Sequence, residues 1–136
     1  METKFYKCPI CGNVIMKFTD SGVVPFCCGK QMELLVPQTS EKDAGEKHLP
    51  VMMVIESGIL QVEIGSVPHP STEYHYIEWI YLETEKGGQL VYLHPNDRPM
   101  ALFCCKGRPT AVYAYCNQHG LWRSEMNYLP SEDFYC

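Results

Sequence analysis

Convincing helical periodicity is missing from this 136-residue chain. Apolar residues alternate, or gather in short β-branched and aromatic runs closed by turn residues. That excludes a helical bundle. Positive charge is also scarce: 11 Lys and Arg stand against 16 Asp and Glu, for a net charge of -5. No basic stripe is left to neutralise phosphates, so no nucleic-acid partner is expected. No apolar run nears the roughly 20 residues of a membrane span, so no membrane partner is expected either. Met1-Glu2-Thr3-Lys4 lacks the apolar centre of a signal peptide, which argues against export. Gly-x-Ser-x-Gly, His-Glu-x-x-His and the dinucleotide fingerprint are absent. Gly22 to Lys30 is too long for a phosphate loop, and Gln31 stands where its hydroxyl residue belongs. Internal repeats and low-complexity tracts are lacking as well.

What the chain does have is cysteine, eight in all. Cys8-Pro9-Ile10-Cys11-Gly12 and Cys27-Cys28-Gly29 offer four thiolates in two close pairs. Such a set makes a tetrahedral all-sulfur site suited to zinc or iron. The glycine after each pair lets the backbone turn tightly around the ion. The adjacent pair Cys27-Cys28 is unusual, because neighbouring side chains must both turn to one ion, and strain is expected there. A disulfide framework is the competing reading. The lack of a signal peptide, the vicinal pairs and the ligand spacing oppose it. Cys104-Cys105 lies in Ala101-Leu102-Phe103-Cys104-Cys105, a strand pattern, and reads as core or surface filler. Cys136 is the last residue and reads as a mobile end.

A second ligand pattern is Tyr115-Cys116-Asn117-Gln118-His119-Gly120-Leu121-Trp122. Cys-x-x-His is a bite that one ion can take from both ends. His48, His69 and His75 lie upstream. Several imidazoles with a single thiolate point towards redox iron or copper. A lone histidine in a β protein is more often structural, but these positions could converge on the loop of Cys116 and His119. By a period of two, His75 shares a strand face with Ile77, Trp79 and Tyr81. His94, in Leu93-His94-Pro95-Asn96, reads as an exposed turn residue. Glu132-Asp133 reads as a solvated pair, not an acid-base couple.

Length and a hydrophobic content of 46% allow a small module plus a modest domain. Residues 1–36 hold the four cysteines with short β runs, Val14 to Phe18 and Met32 to Val36. A core for so few residues needs a staple, and metal would supply it. Residues 37–47 are polar, turn-rich and read as a linker. From 48 to 136 the pattern is β throughout. Val51 to Glu56 and Ile59 to Ile64 flank the turn Ser57-Gly58. Tyr74 to Thr84 turns at Gly87-Gly88 into Gln89 to Leu93, and a further strand runs from Thr110 to Cys116. Such spacing suggests a sandwich or barrel.

Three separated motifs then carry a resemblance. Glu46-Lys47-His48, His69-Pro70-Ser71-Thr72-Glu73-Tyr74-His75-Tyr76-Ile77-Glu78-Trp79, and Tyr115 to Trp122 resemble the superoxide reductases. Cys8-x-x-Cys11 with Cys27-Cys28 resembles their desulforedoxin-type module, so the whole resembles the two-iron form, desulfoferrodoxin. The resemblance implies an all-β chain: an immunoglobulin-like β-sandwich preceded by a small desulforedoxin-like metal-bound β module. It implies one iron on His48, His69, His75, His119 and Cys116, and a second iron, held by sulfur alone, on Cys8, Cys11, Cys27 and Cys28. It further implies one-electron reduction of superoxide to hydrogen peroxide. Lys47 would steer the substrate, and Glu46 would be the carboxylate that binds ferric iron. Rubredoxin or a similar small carrier would be the donor to a cytoplasmic homodimer. Cys104, Cys105 and Cys136 are not part of that pattern. Two other readings stay open on the residues alone. One is a cupredoxin-like electron carrier using Cys116, His119, Met126 and an upstream histidine. The other is a zinc-ribbon adaptor built on the four N-terminal cysteines.

Overall fold

A computed structural model describes residues 2–40, 47–56 and 58–126, and contains twelve strands and no helix among them. The chain divides into two compact units, Met1–Val36 and Pro37–Cys136. The first is built of very short strands: β1 Phe5–Lys7, β2 Val14–Met16, β3 Phe26–Cys27, β4 Lys30–Gln31 and β5 Glu33–Leu34. β1 is central to a three-stranded sheet between β2 and β5, and β3 pairs with β4 as a separate ribbon. Among the described residues one buried cluster behind them is Tyr6, Cys8 and Met32, with Val24 and Cys27 against it, and Phe5 is buried as well.

The second unit contains β6 Pro50–Glu56, β7 Ile59–Ile64, β8 Ile77–Thr84, β9 Gly87–Tyr92, β10 Met100–Cys104, β11 Pro109–Cys116 and β12 Gly120–Glu125. They form a sheet of order β10-β7-β6 and a sheet of order β12-β11-β8-β9, all antiparallel. Alternate residues of both sheets fill one core. Leu60, Val62, Ile64, Ala101 and Phe103 come from the first sheet, and Ile77, Ile80, Leu82, Val112, Ala114 and Cys116 from the second. This is the immunoglobulin-like sandwich that the sequence led us to expect. Apolar burial of this kind contributes roughly 25 cal/mol per Å².

Three details depart from the sequence reading. The run from Tyr74 becomes strand only at Ile77, because the Thr72 N–H donates to the His75 carbonyl (2.9 Å) and the His75 N–H returns to Thr72. The turn so closed holds His75 off the sheet. A bulge then breaks the period of two. Tyr115 pairs with Trp79 but the next residue, Cys116, pairs with Ile77. Ile77 therefore faces the core with Ile80 and Leu82, while Trp79 stacks on Tyr115 (5.4 Å, 8°) on the other face. Finally, Cys105 is a buried thiol, as read, whereas Cys104 is disulfide-bonded rather than a filler. The readings of Ser57, Cys136 and Glu132-Asp133 fall outside the described residues, as does that of Glu46. His94 is exposed in its turn, as expected.

Candidate metal centres

The Cys8 to Cys11 turn leaves β1, and the Cys27-Cys28 turn joins β3 to β4. Together they place the four sulfurs within 4.8 Å of one another. The Cys11 and Cys27 sulfurs are 3.6 Å apart. Convergence of the vicinal pair rests on Cys28, whose φ of 54° is one of two positive values at non-glycine residues among the described residues. Strain of about 1–2 kcal/mol is therefore held in the backbone there. The Cys8 sulfur accepts the backbone N–H groups of Ile10 and Cys11, both at 3.4 Å. These donors, that of Cys11 above all, bring its thiol down to about 6. Sharing hydrogen with Cys11 pushes Cys28 up to about 12, and Cys27 is raised for the same reason. Four thiolates so close repel one another, and a cation is what resolves the conflict.

The second site gathers candidate ligands from three separate segments of the sandwich. His48 precedes β6, His69 and His75 lie between β7 and β8, and Cys116 ends β11 with His119 in the turn to β12. The four imidazoles close into a ring. Centroids are 4.8 Å apart for His48 and His69, 4.7 Å for His69 and His75, 5.0 Å for His75 and His119, and 4.9 Å for His119 and His48. His48, His75, Cys116 and His119 each place a ligand atom within 4.8 Å of the others. His69 lies outside that tighter set but edges both His48 and His75. The His48 Nε2 and His119 Nδ1 are 3.2 Å apart, and the Cys116 sulfur is 3.8 Å from the latter.

Two atoms test whether a metal fits. Nε2 of His69 and of His75 are buried and have no hydrogen-bond partner. An orphaned buried polar group costs roughly 1–3 kcal/mol, so a buried pair aimed inward calls for a ligand. The His69 ring is committed to that use, since its Nδ1 donates to the Pro70 carbonyl at 2.7 Å and leaves Nε2 bare. Burial lowers the His69 pKa to about 4, and burial with the His119 and Lys47 charges lowers that of His75. Both rings are thus neutral donors at neutral pH. Burial pushes the Cys116 thiol up while the backbone N–H groups of Gln118 and His119 oppose it. It becomes a thiolate when a cation takes its proton's place.

Several supporting residues were not singled out by the sequence. Trp122 stacks on His48 at 4.5 Å and 12°. Gln38, in the segment read as linker, pairs by its backbone with Leu121 and Arg123, and its Nε2 donates to the His119 carbonyl at 2.7 Å. Gly65, at φ 85°, lies under the Lys47 backbone: an added Cβ would stand 2.7 Å from the Lys47 carbonyl carbon and closer to its oxygen. No residue-type pattern announces such contacts, which arise only on folding.

The desulfoferrodoxin family model matches residues 40–125. The chain belongs to the desulfoferrodoxin family. It is 42% identical over 124 residues to the desulfoferrodoxin of Syntrophotalea carbinolica, covering 91% of this chain and 97% of that one. It is 40% identical over 124 residues, with the same coverage, to the desulfoferrodoxin of Nitratidesulfovibrio vulgaris. The crystal structure of the superoxide reductase from Treponema pallidum superposes with a TM-score of 0.77 at 28% identity, covering 91% of this chain and 98% of that one. As expected of a desulfoferrodoxin, the two donor sets accommodate two iron centres.

Proposed function

We propose that this chain is a superoxide reductase, with catalytic iron on His48, His69, His75, His119 and Cys116 and a second iron on Cys8, Cys11, Cys27 and Cys28. The observation that carries it is the closed ring of four imidazoles with one buried cysteine sulfur against it. Iron held there would supply the one electron that, with two protons, converts superoxide to hydrogen peroxide. The rest falls to side chains. His69 and His75 reach the site as neutral donors, Cys116 contributes negative charge, and Lys47 attracts the anion. Support for that last role is that the Lys47 charge is felt at His75. Glu46 is the proposed carboxylate ligand of the oxidised site.

In this reading residues 1–36 are the desulforedoxin-like module, 37–47 the linker with the Glu46-Lys47 segment, and 48–136 the sandwich. Rubredoxin or a similar small carrier is the proposed donor, and a cytoplasmic homodimer the proposed setting. A cupredoxin-like carrier would need Met126 as a ligand, but Met126 packs against the sandwich core. Metal analysis, an absorption spectrum and pulse radiolysis test the proposal together. Expected are two irons per chain, a thiolate charge-transfer band, and peroxide formed without dioxygen. Intense blue copper would instead establish the carrier, colourless zinc the adaptor, and dioxygen release a dismutase.

A further inference from the structure

Pairing between β8 and β11 ends at Ile77 and Cys116, just where the bulge falls. Past that rung the two segments still run together, and the side chains of Asn117 and Gln118 take over the hydrogen bonding, Gln118 Nε2 donating to the Tyr74 carbonyl at 2.8 Å. Asn117 Oδ1 accepts the Tyr76 N–H at 3.0 Å, and Asn117 Nδ2 donates to the Tyr74 carbonyl at 3.0 Å. The Asn117 backbone N–H also donates to the Tyr76 carbonyl, at 3.2 Å. The Tyr74 carbonyl and the Tyr76 N–H belong to the two peptide groups on either side of His75. A primary amide, with one acceptor and one donor end, is matched to that pair.

An asparagine in a turn usually bonds to its own near neighbours. Here both side-chain bonds reach a segment 41 and 43 residues away in sequence. Thr72 holds the His75 backbone from the other side, and the buried Nε2 of the ring takes no hydrogen bond from the protein. Asn117 directly follows Cys116. A rigid link therefore runs from the cysteine sulfur's own backbone to both peptides of His75.

The geometry points to Asn117 as a positioning residue that sets His75 against Cys116, an inference that rests on the metal reading above. Groups that orient metal ligands typically change affinity by about 10–100-fold when removed. Cobalt(II) titrated into the full chain, with the Cys116→Ser spectrum subtracted, isolates the band of the Cys116 thiolate. Asn117→Ala should shift that band and weaken cobalt binding at this site at least tenfold. Asn117→Asp keeps the acceptor for Tyr76 and loses the Nδ2 donor to Tyr74, whose carbonyl keeps Gln118 Nε2, and should weaken binding by a smaller factor. Ser124→Ala, which removes a 2.8 Å bond to the Pro50 carbonyl, should cost stability and leave the band alone. An unmoved band and unchanged affinity in Asn117→Ala would overturn the inference. Should that variant fail to fold, unchanged affinity in Asn117→Asp overturns it equally. A wild-type chain with no Cys116-dependent band would overturn the metal reading instead.

Discussion

A buried thiol is a poor ligand until it loses its proton, and Cys116 is buried. The cost of ionising it in the core is offset only by a cation at the ring of imidazoles. Cys116→Ser keeps the size but removes the polarisable sulfur, so we expect loss of the thiolate charge-transfer band and of nearly all superoxide reduction. Wild-type activity in that variant would refute the ligand role. The role proposed for Lys47 is different and works through its field. Superoxide is small and singly charged, and the chain's net charge of -5 repels it. A local positive charge can override that. Lys47→Ala should slow the second-order reaction by about tenfold or more, a barrier rise of at least roughly 1.4 kcal/mol, and the loss should shrink as salt screens the field. Glu46→Ala should leave that step almost untouched and change the ferric spectrum. Pulse radiolysis across ionic strengths separates them: equal slowing in both, or none in Lys47→Ala at low salt, would sink these roles.

Between residue and fold, the turns decide whether the ligands meet. Gly65 ends β7 and starts the turn to His69, whose N–H donates to the Ile64 carbonyl (3.2 Å), while the Gly65 N–H donates to Leu49, next to His48. One glycine thus holds both the His48 arm and the His69 turn. Gly65→Ala should strain the left-handed backbone by about 1–2 kcal/mol and also push the Lys47 carbonyl away. Gly107→Ala is the matched control: φ is 88°, yet its Cβ would meet only the Lys86 and Thr84 side chains, none nearer than 3.5 Å. Both variants should melt earlier, and only Gly65→Ala should alter the iron spectrum. Identical spectra would show that the approach over Gly65 does not position the site. These turns also mark how far the sequence could be read. Ligand types and spacing were visible in Cys8-x-x-Cys11 and Cys116-x-x-His119, because a chelating bite is local. Strands β6, β7 and β11 were visible because each is a short β-branched, apolar or aromatic run bounded by turn residues. The inward turn of Ile77 was not, since the bulge that causes it exists only through pairing with β11. The pairing of Gln38 with β12 was hidden for the same reason: it joins residues that sequence proximity does not connect.

At the scale of the molecule the two units differ in what holds them. The sandwich buries a continuous core from both sheets, whereas among the described residues the four-cysteine unit buries little beyond Phe5, Tyr6, Cys8 and Met32. By size alone a unit of that kind is marginal, and a structural metal can supply on the order of 10 kcal/mol of apparent folding free energy. Asp20 helps, accepting from both Lys4 and Lys17 at 2.7 Å, but exposed pairs of this sort are screened by solvent and contribute little. Cys27→Ser should therefore abolish the absorption of the all-sulfur iron and the amide-exchange protection of residues 1–36. The sandwich, whose ligands all come from its own segments, should keep its iron and its reaction with superoxide. Two outcomes count against this division. Retained protection in residues 1–36 without metal would show that the small core suffices. Loss of superoxide reduction while the histidine-ligated iron stays bound would show that electrons must pass through the four-cysteine centre.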